Sequence, residues 1–307
     1  MSFSGIDLSR LPAPQIIDQP DFETIFAARK ARLVELAGEF GSADYMASLS
    51  AALELESEPL VHLLQEDSYR ELLLRAAVQD AGKGNLLAFA EGAVLDHIAA
   101  FYGVARQVVQ EADATVSPPI PEVLESDDRL RARVQLAPEG FSTAGPVGAY
   151  VFWALSASAK VRDVAVLQTA QPGDVRVVVL STVADGTPDA DLLALVDAAT
   201  EPRRPLTDNV MVEAATVQPY TVEAELTLYD GPDAEVVRQA SLAAITAFVD
   251  AHHRLGHDIT IAGLHAALYR EGVQDVAITA PATSLVIAPD TAAFCTGITL
   301  TVGGRDV

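Results

Sequence analysis

The stretch "ATVSPPIPEVLES", residues 114–126, separates two parts of the chain that differ in hydrophobic period. Its prolines, Pro118, Pro119 and Pro121, fix φ and remove backbone donors, so no helix can continue through it. Before the stretch, apolar residues recur at helical spacing; after it, helical segments alternate with runs of β-branched residues. This change predicts an α+β fold, with an N-terminal helical region followed by small mixed sheet-and-helix domains.

Composition and periodicity together divide the chain into four regions. We expect an extended N-terminal arm (1–20), a helical region (21–113), a central α+β domain (114–205) and a C-terminal α+β domain (206–307). The arm is broken by prolines yet remains apolar. We therefore expect it to lie either on its own domain or on a neighbouring molecule.

The helical region ends with "AEGAVLDHIAAFYGVAR", residues 90–106. Gly92 is predicted to mark the start of a short helix, and Gly103 its C-terminal cap. Upstream, Asp21 is placed to cap one helix and Pro59 to begin another. On the short helix the apolar residues share one face: Leu95, Ile98, Ala99 and Tyr102.

Behind the proline-rich stretch, helices and strands alternate. Residues 160–169 and 173–182 are predicted to form a hairpin that turns at 171–173. Further strands are expected at 221–228, 272–281 and 295–302. Further helices are expected at 126–137, from Pro146, from Pro188, at 232–253 and at 261–270.

The charge of the chain limits its partners. Its 43 acidic and 20 basic residues give a net charge of −23, so free DNA or RNA is not an expected partner. An acidic or halophilic proteome at the source would explain the same charge. No run approaches the roughly 20 apolar residues that a membrane span needs, so none is predicted. The single cysteine, Cys295, excludes an internal disulfide, and a buried structural thiol is the expectation there.

Three histidines lie close together in "DAHHRLGHD": His252, His253 and His257. On a continuous helix His253 and His257 would be one turn apart, a spacing that binds zinc when a third ligand converges. However, Gly256 intervenes and the H-E-x-x-H pattern is absent. Histidines in a last helical turn also suit the negative end of the helix dipole, and this interpretation is favoured.

The remaining motifs give no indication of a catalytic or ligand-binding site. The acidic pairs Asp127–Asp128 and Asp189/Asp191 fall at predicted helix starts, where carboxylates stabilise the helix dipole. The glycines of "AGPVGAY", residues 144–150, indicate a tight turn and not a phosphate loop. The sequence therefore predicts no catalytic, cofactor-binding or metal-binding residue.

Five longer sequence segments, taken in order, identify a protein family more specifically than any single residue does. They occupy residues 69–106, 144–166, 173–180, 203–228 and 272–281. In this order the segments resemble the baseplate J-like family of contractile-tailed phages and phage-derived tail particles. The resemblance covers residues 60–302.

The resemblance implies a structural subunit of the baseplate wedge of a contractile tail. Such a subunit assembles with a second copy of itself and an I-like wedge protein into a triplex. The triplexes form a six-fold ring around the hub and couple to sheath contraction. Further implied contacts are a W-like sheath initiator, neighbouring wedges and hub proteins. The implied location is the host cytoplasm during assembly and then the tail baseplate.

The resemblance also carries over individual positions as fold and assembly residues, without catalytic roles. The first motif contributes Gly92, Leu95, Asp96, Ala99, Gly103, Val104 and Arg106. The second contributes Gly145, Pro146, Tyr150 and Asp163, and the third contributes Arg204, Pro205, Leu206, Thr207 and Asp208.

Two alternatives stay open at this point. One is a metal-dependent hydrolase that uses the cluster of His252, His253 and His257. The other is a tail-assembly chaperone that is absent from the finished particle. The zinc content of the purified chain tests the first, and the presence of the chain in intact tails tests the second.

Overall fold

The computed structural model describes residues 6–231 and 233–306, apart from the side chain of Ser9. The predictions for the first five residues of the arm, for a helix start at Pro232 and for Val307 lie outside the described residues. The described chain divides into two compact units. The helical unit is Asp7–Ile98, and the second unit contains the residues from Ala99 onward. The four-region division drawn from composition stays a prediction.

The helical unit holds the N-terminal helices. They are a 3-10 turn Leu8–Arg10, then α1 Phe22–Ala37, α2 Ala43–Ala52, α3 Pro59–Gly84 and most of α4 Gly92–Phe101. Asp21 caps α1 by accepting a hydrogen bond from the Thr24 amide at 2.7 Å, and Pro59 is the first residue of α3, both as predicted. The α+β prediction with helices at the front is confirmed.

The described part of the arm lies on α3 of its own unit. Gln79 of α3 is buried; its Nε2 donates to the Pro14 carbonyl at 2.7 Å and its Oε1 accepts from the Ile16 amide at 2.8 Å. Arg75 donates to the Asp18 carbonyl at 2.9 Å. One amide side chain therefore satisfies backbone groups that the extended arm cannot pair internally.

The end of α4 shows why Gly103 is required. The Val104 amide donates to the Ala99 carbonyl at 2.9 Å, and the Gly103 amide donates to the Ala100 carbonyl at 3.0 Å. This is the Schellman pattern, and it needs a left-handed residue at Gly103, where φ is +71°. Val104 and Ala99 are both buried, as the accompanying apolar contact requires. The predicted C-terminal cap is confirmed.

The second unit contains three small sheets within its described residues. A two-stranded sheet pairs β1 Val108–Gln110 with β2 Val123–Leu124. The central sheet has the order β3–β4–β5, with β3 Val161–Gln168 antiparallel to β4 Asp174–Ser181 and β5 Asn209–Ala214 parallel to β4. Strand β5 was not predicted.

Two helices pack on the strands of the central sheet, and a third packs on the first of these helices. In chain order the third helix comes first. The three helices are α5 Asp127–Leu136, α6 Val147–Ala157 and α7 Ala190–Thr200, with 3-10 turns at Ala137–Phe141 and Glu201–Arg203. Tyr150 and Trp153 of α6 pack in the core with Val177 and Val179 of β4 and Val196 of α7. The predicted hairpin and the starts of α5 and α6 are confirmed; α7 begins two residues after Pro188.

The C-terminal sheet is built around one long strand. Strand β6 Thr216–Leu228 pairs antiparallel with β7 Val273–Ala280 and parallel with β8 Thr291–Arg305, and α8 Ala234–His252 and α9 Ile261–Leu268 complete the core. The side chains of β6 alternate between buried and exposed positions over its second half, as the sequence predicts. Across the described residues, none of the helices combines the length and apolarity that crossing a bilayer requires.

Gly103→Ala is expected to destabilise the second unit by about 1 kcal/mol, because an L side chain resists the left-handed backbone at this cap. Urea unfolding followed by circular dichroism measures the loss. Gly297→Ala is the matched control, since Gly297 lies in β8 with ordinary φ and no neighbouring atom within 4 Å of an added Cβ. Equal losses for both variants would contradict the role of the cap.

Candidate functional site

The three histidines do not share a helix. Helix α8 ends at His252; His253 has φ −74° and ψ 72°, and Gly256 turns the chain with φ +68°. The helical spacing of His253 and His257 that could bind zinc is therefore absent, because the helix stops before either residue, close to its predicted end at His253. Within residues 6–231 and 233–306, no group of three or more His, Cys, Asp or Glu side chains is arranged to hold a metal ion.

His252 and His253 instead bind backbone carbonyls. The Nδ1 atom of His252 is 2.9 Å from the Phe248 carbonyl in the last turn of α8. The Nδ1 atom of His253 is 2.8 Å from the Ala293 carbonyl of β8. The His252 contact agrees with a histidine in the last turn of a helix, whereas His253 ties the helix end to strand β8.

The paired carboxylates lie at helix starts, as predicted. Asp127 and Asp128 occupy the first turn of α5, and Asp189 caps α7 by accepting from the Leu192 amide at 2.8 Å. The Cys295 thiol is half-buried and donates to the Gly297 carbonyl at 3.4 Å, and burial raises its pKa.

Residues of the second and third motifs, far apart in sequence, meet in one place. The Tyr150 hydroxyl donates to Asp208 Oδ2 at 2.6 Å, and Arg204 donates to the Asp208 carbonyl at 2.7 Å. At Gly145, φ is +67° and an added Cβ would lie 2.7 Å from Pro205 Cγ. We call this set of five residues the Tyr150–Asp208 junction; burial and the neighbouring Asp208 carboxylate raise the pKa of Tyr150.

The neighbouring motif residues lie at the edge of this junction. Pro146 stands at the N-cap of α6. The Asp208 amide donates to the Pro205 carbonyl at 3.1 Å, which closes a turn with Leu206 and Thr207 at its tip. Both tip residues are exposed, and Leu206 is fully so.

Asp163 and its neighbour Arg162 join the central strands to the end of α8. Arg162 Nε donates to the His253 carbonyl at 2.9 Å, and its Nη2 binds Asp250 Oδ1 at 2.7 Å. The half-buried Asp163 carboxylate accepts from the Leu255 amide at 2.9 Å. Burial raises the pKa of Asp163, and the amide bonds oppose that shift.

Glu125 is buried and lies at the centre of a cluster of charged and polar groups. This cluster was not predicted from the sequence. The Glu125 carboxylate contacts Arg133 Nη1, accepts from Arg129 Nε at 3.2 Å and accepts from the Gln107 amide at 3.0 Å. Arg106, a predicted motif residue, donates to the Glu125 carbonyl at 2.7 Å. We call these five residues the Glu125 cluster. The four-residue spacing of Glu125, Arg129 and Arg133 is the signal that could have revealed this cluster, although Glu125 itself lies just before Ser126, the N-cap of α5.

Arg129 of the Glu125 cluster also caps a helix end. Its Nη1 donates to the Val161 carbonyl at 2.6 Å and its Nη2 to the Ser158 carbonyl at 3.1 Å, just beyond α6. Burial lowers the pKa of Arg129 and of Arg133, and the charge of Glu125 opposes that shift. Both arginines thus have structural partners.

A cleft of about 600 Å³ lies beside the Glu125 cluster, and four arginines line it: Arg129, Arg133, Arg162 and Arg254. Three of them, Arg129, Arg133 and Arg162, already donate to protein carbonyls and carboxylates. Most of the arginines that line the cleft are therefore already hydrogen-bonded to groups of the protein itself.

The remaining motif residues belong to α4 and its end. Leu95, Ala99 and Val104 are buried, Asp96 is half-buried, and Gly92 begins the helix with φ +51°. The described structure thus gives the motif residues roles in helix ends, turns and core packing.

Comparisons with known proteins cover nearly the whole chain. The Baseplate J-like N-terminal domain model matches residues 56–113, the Baseplate J-like central domain model matches 142–214, and the Baseplate J-like protein C-terminal domain model matches 220–301. The chain is also 43% identical over 303 residues to "Baseplate protein J" of Escherichia phage P2, covering 98% of this chain and 99% of that protein.

Glu125→Gln is expected to destabilise the chain by about 3 kcal/mol, because Arg129 and Arg133 would keep buried charges without a counter-ion. Asp128→Asn, a nearby change at an exposed carboxylate, is expected to cost less than about 1 kcal/mol. Urea unfolding of both variants measures the difference. Similar losses would show that the Glu125 cluster does not carry this stability.

Tyr150→Phe is expected to cost about 1.5 kcal/mol, because it removes a hydrogen bond to a carboxylate and leaves the ring in place. Tyr229→Phe serves as the control, since Tyr229 is about half exposed. Thermal unfolding of the two variants tests the junction. A loss no larger for Tyr150→Phe than for the control would contradict it.

Proposed function

Because the chain belongs to the baseplate J-like family, we propose that it is a subunit of the baseplate wedge of a contractile phage tail or tail-like particle. The observation that carries this proposal is the match, over nearly the full length of both chains, to a phage baseplate protein. A structural subunit of the tail is the role that this relationship supports. Its location follows as the host cytoplasm during assembly and then the tail baseplate.

We place the contacts with a second copy and with an I-like wedge protein on the helical unit. Helix α3 buries one side, which carries Val61, Ser68 and Gln79. About half a turn away, Leu63, Leu73 and Leu74 are each close to half exposed or more. A surface helix ordinarily turns polar residues outward, so three exposed leucines on this face, which also carries the Arg70–Glu66 ion pair, indicate a protein interface.

This second face of α3 suits a triplex of helices. Neighbouring helices would bury the leucines by ridges-into-grooves packing, and each added contact would remove apolar surface from water. In this arrangement a W-like sheath initiator, neighbouring wedges and hub proteins meet the remaining surfaces. The wedges then close into a six-fold ring that couples to sheath contraction.

The hydrolase alternative gains no support from the described residues, because His253 and His257 do not share a helix. The chaperone alternative makes a different prediction about the finished particle. A chaperone leaves the tail, whereas a wedge subunit stays in it.

The direct test is affinity purification of the tagged chain from cells that make the particle, with mass spectrometry of the recovered proteins. We expect an I-like wedge protein and a sheath initiator, with two copies of this chain per complex. The tagged chain should also be present in purified tails. A chain recovered alone with bound zinc, or absent from tails, would contradict the proposal.

Leu63→Glu combined with Leu74→Glu is expected to reduce tail incorporation by at least about tenfold, because two charges would have to be desolvated at the helix interface. The unfolding temperature should stay unchanged, since both side chains are exposed. Quantitative immunoblotting of purified tails measures incorporation. Leu195→Glu, at an exposed leucine of α7, is the control and should incorporate normally.

A further inference from the structure

Strands β1 and β2 and the loop between them form an arm, defined here as residues 108–124 and called the hairpin arm. Val108 pairs with Leu124, and Gln110 pairs with Val123 across a bulge. Further out, Asp113 and Ile120 exchange two backbone hydrogen bonds of 2.9 Å. An isolated two-stranded hairpin is marginally stable in water, so an arm of this kind needs support.

The support at the base of the hairpin arm comes from the Glu125 cluster. The Glu125 amide donates to the Gln107 carbonyl at 2.9 Å, and the Gln107 amide donates to Glu125 Oε1 at 3.0 Å. Arg106 holds the Glu125 carbonyl at 2.7 Å. The two ends of the arm are therefore hydrogen-bonded to each other at its base, where Glu125 is buried.

Both faces of the hairpin arm are apolar and exposed. Successive side chains of a strand point to opposite faces, so Val123 and Leu124 lie on opposite sides of the arm, while the bulge between Val108 and Gln110 interrupts this alternation in β1. All four are about 40 to 50% exposed, and no residue of β1 or β2 is buried. A sheet that shows apolar side chains on both faces is suited to insertion between two surfaces.

The charges on the hairpin arm select the partner. Its ionisable residues are all acidic: Glu111, Asp113 and Glu122. The whole chain carries a net charge of −23, so a second copy would on average repel the arm. A positively charged surface complements it.

We propose that the hairpin arm docks into an apolar groove with positively charged rims on a different protein of the same particle. The apolar faces supply the contact area, and the acidic residues select against a second copy of this chain. The fixed base reduces the ordering cost of docking. This inference rests on the proposed function in one respect, which is that the partner is another subunit of the particle.

Site-specific photo-crosslinking tests the proposal with the full chain in particle-producing cells. A photoreactive phenylalanine analogue replaces Val109 or Val123, and Val236 of α8 is the exposed control position. We expect the two arm positions to crosslink to one particle protein other than this chain. The crosslinked peptide should carry a net positive charge, and the control should give no such product.

The outcomes separate the two proposals. Tagged chain in purified tails without a crosslink from the arm, or with a crosslink to a second copy or to an acidic peptide, overturns the docking proposal and leaves the wedge assignment standing. Absence of the tagged chain from tails overturns the wedge assignment and the docking proposal with it.

Charge reversal gives an independent readout of the same contact. Glu111→Lys combined with Glu122→Lys should lower the crosslink yield at Val109 by about tenfold, because like charges would then face each other. The unfolding temperature should not change, since both side chains are exposed. Glu39→Lys combined with Glu56→Lys, at exposed sites of the helical unit, should leave the yield unchanged. An unchanged yield in the arm variant would contradict the charge-selected partner.

Discussion

The buried carboxylate of Glu125 is the constraint on which the second unit depends. A carboxylate removed from water must be paired and hydrogen-bonded, and Arg129, Arg133 and the Gln107 amide together meet that requirement. Because Gln107 directly precedes the hairpin arm, Glu125 directly follows it and both arginines belong to α5, satisfying one charge fixes the two ends of the arm to each other and to α5. Arg129 extends this order to the end of α6 through the Ser158 carbonyl.

Arginine recurs in this unit because of its geometry. A planar guanidinium carries five donors, so one side chain can bind an acid and several carbonyls at once. Arg162 binds the His253 carbonyl and the Asp250 carboxylate, while the adjacent Asp163 accepts the Leu255 amide. The central strands and the end of α8 are thus joined by hydrogen bonds to backbone groups that a helix end leaves unpaired.

Local signals in the sequence predicted local structure well. The cap at Asp21 and the C-terminal glycine at Gly103 depend on residues within one turn, so their patterns are readable from the chain alone. Strand β5 was missed because a short edge strand after a turn has little periodicity. The helix end near His253 was also predicted from the sequence, and it separates His253 from His257. Contacts such as Tyr150 with Asp208 join residues 58 positions apart, and spacing cannot predict them.

The division between buried polar groups and exposed apolar ones connects the fold to assembly. The Glu125 cluster and the Tyr150–Asp208 junction fix the second unit from within. The leucines of α3 and the valines of the hairpin arm remain roughly half exposed, so much of their apolar area is not buried within their own units. Their apolar area stays available for association, at about 25 cal/mol for each Å² removed from water. Two chains that each carry a charge of −23 repel one another, so contacts between copies must be apolar enough to exceed that repulsion. The second face of α3, which is rich in leucine, meets this condition. The hairpin arm, with only acidic charges, gains most from a basic partner, and the two surfaces therefore favour different neighbours.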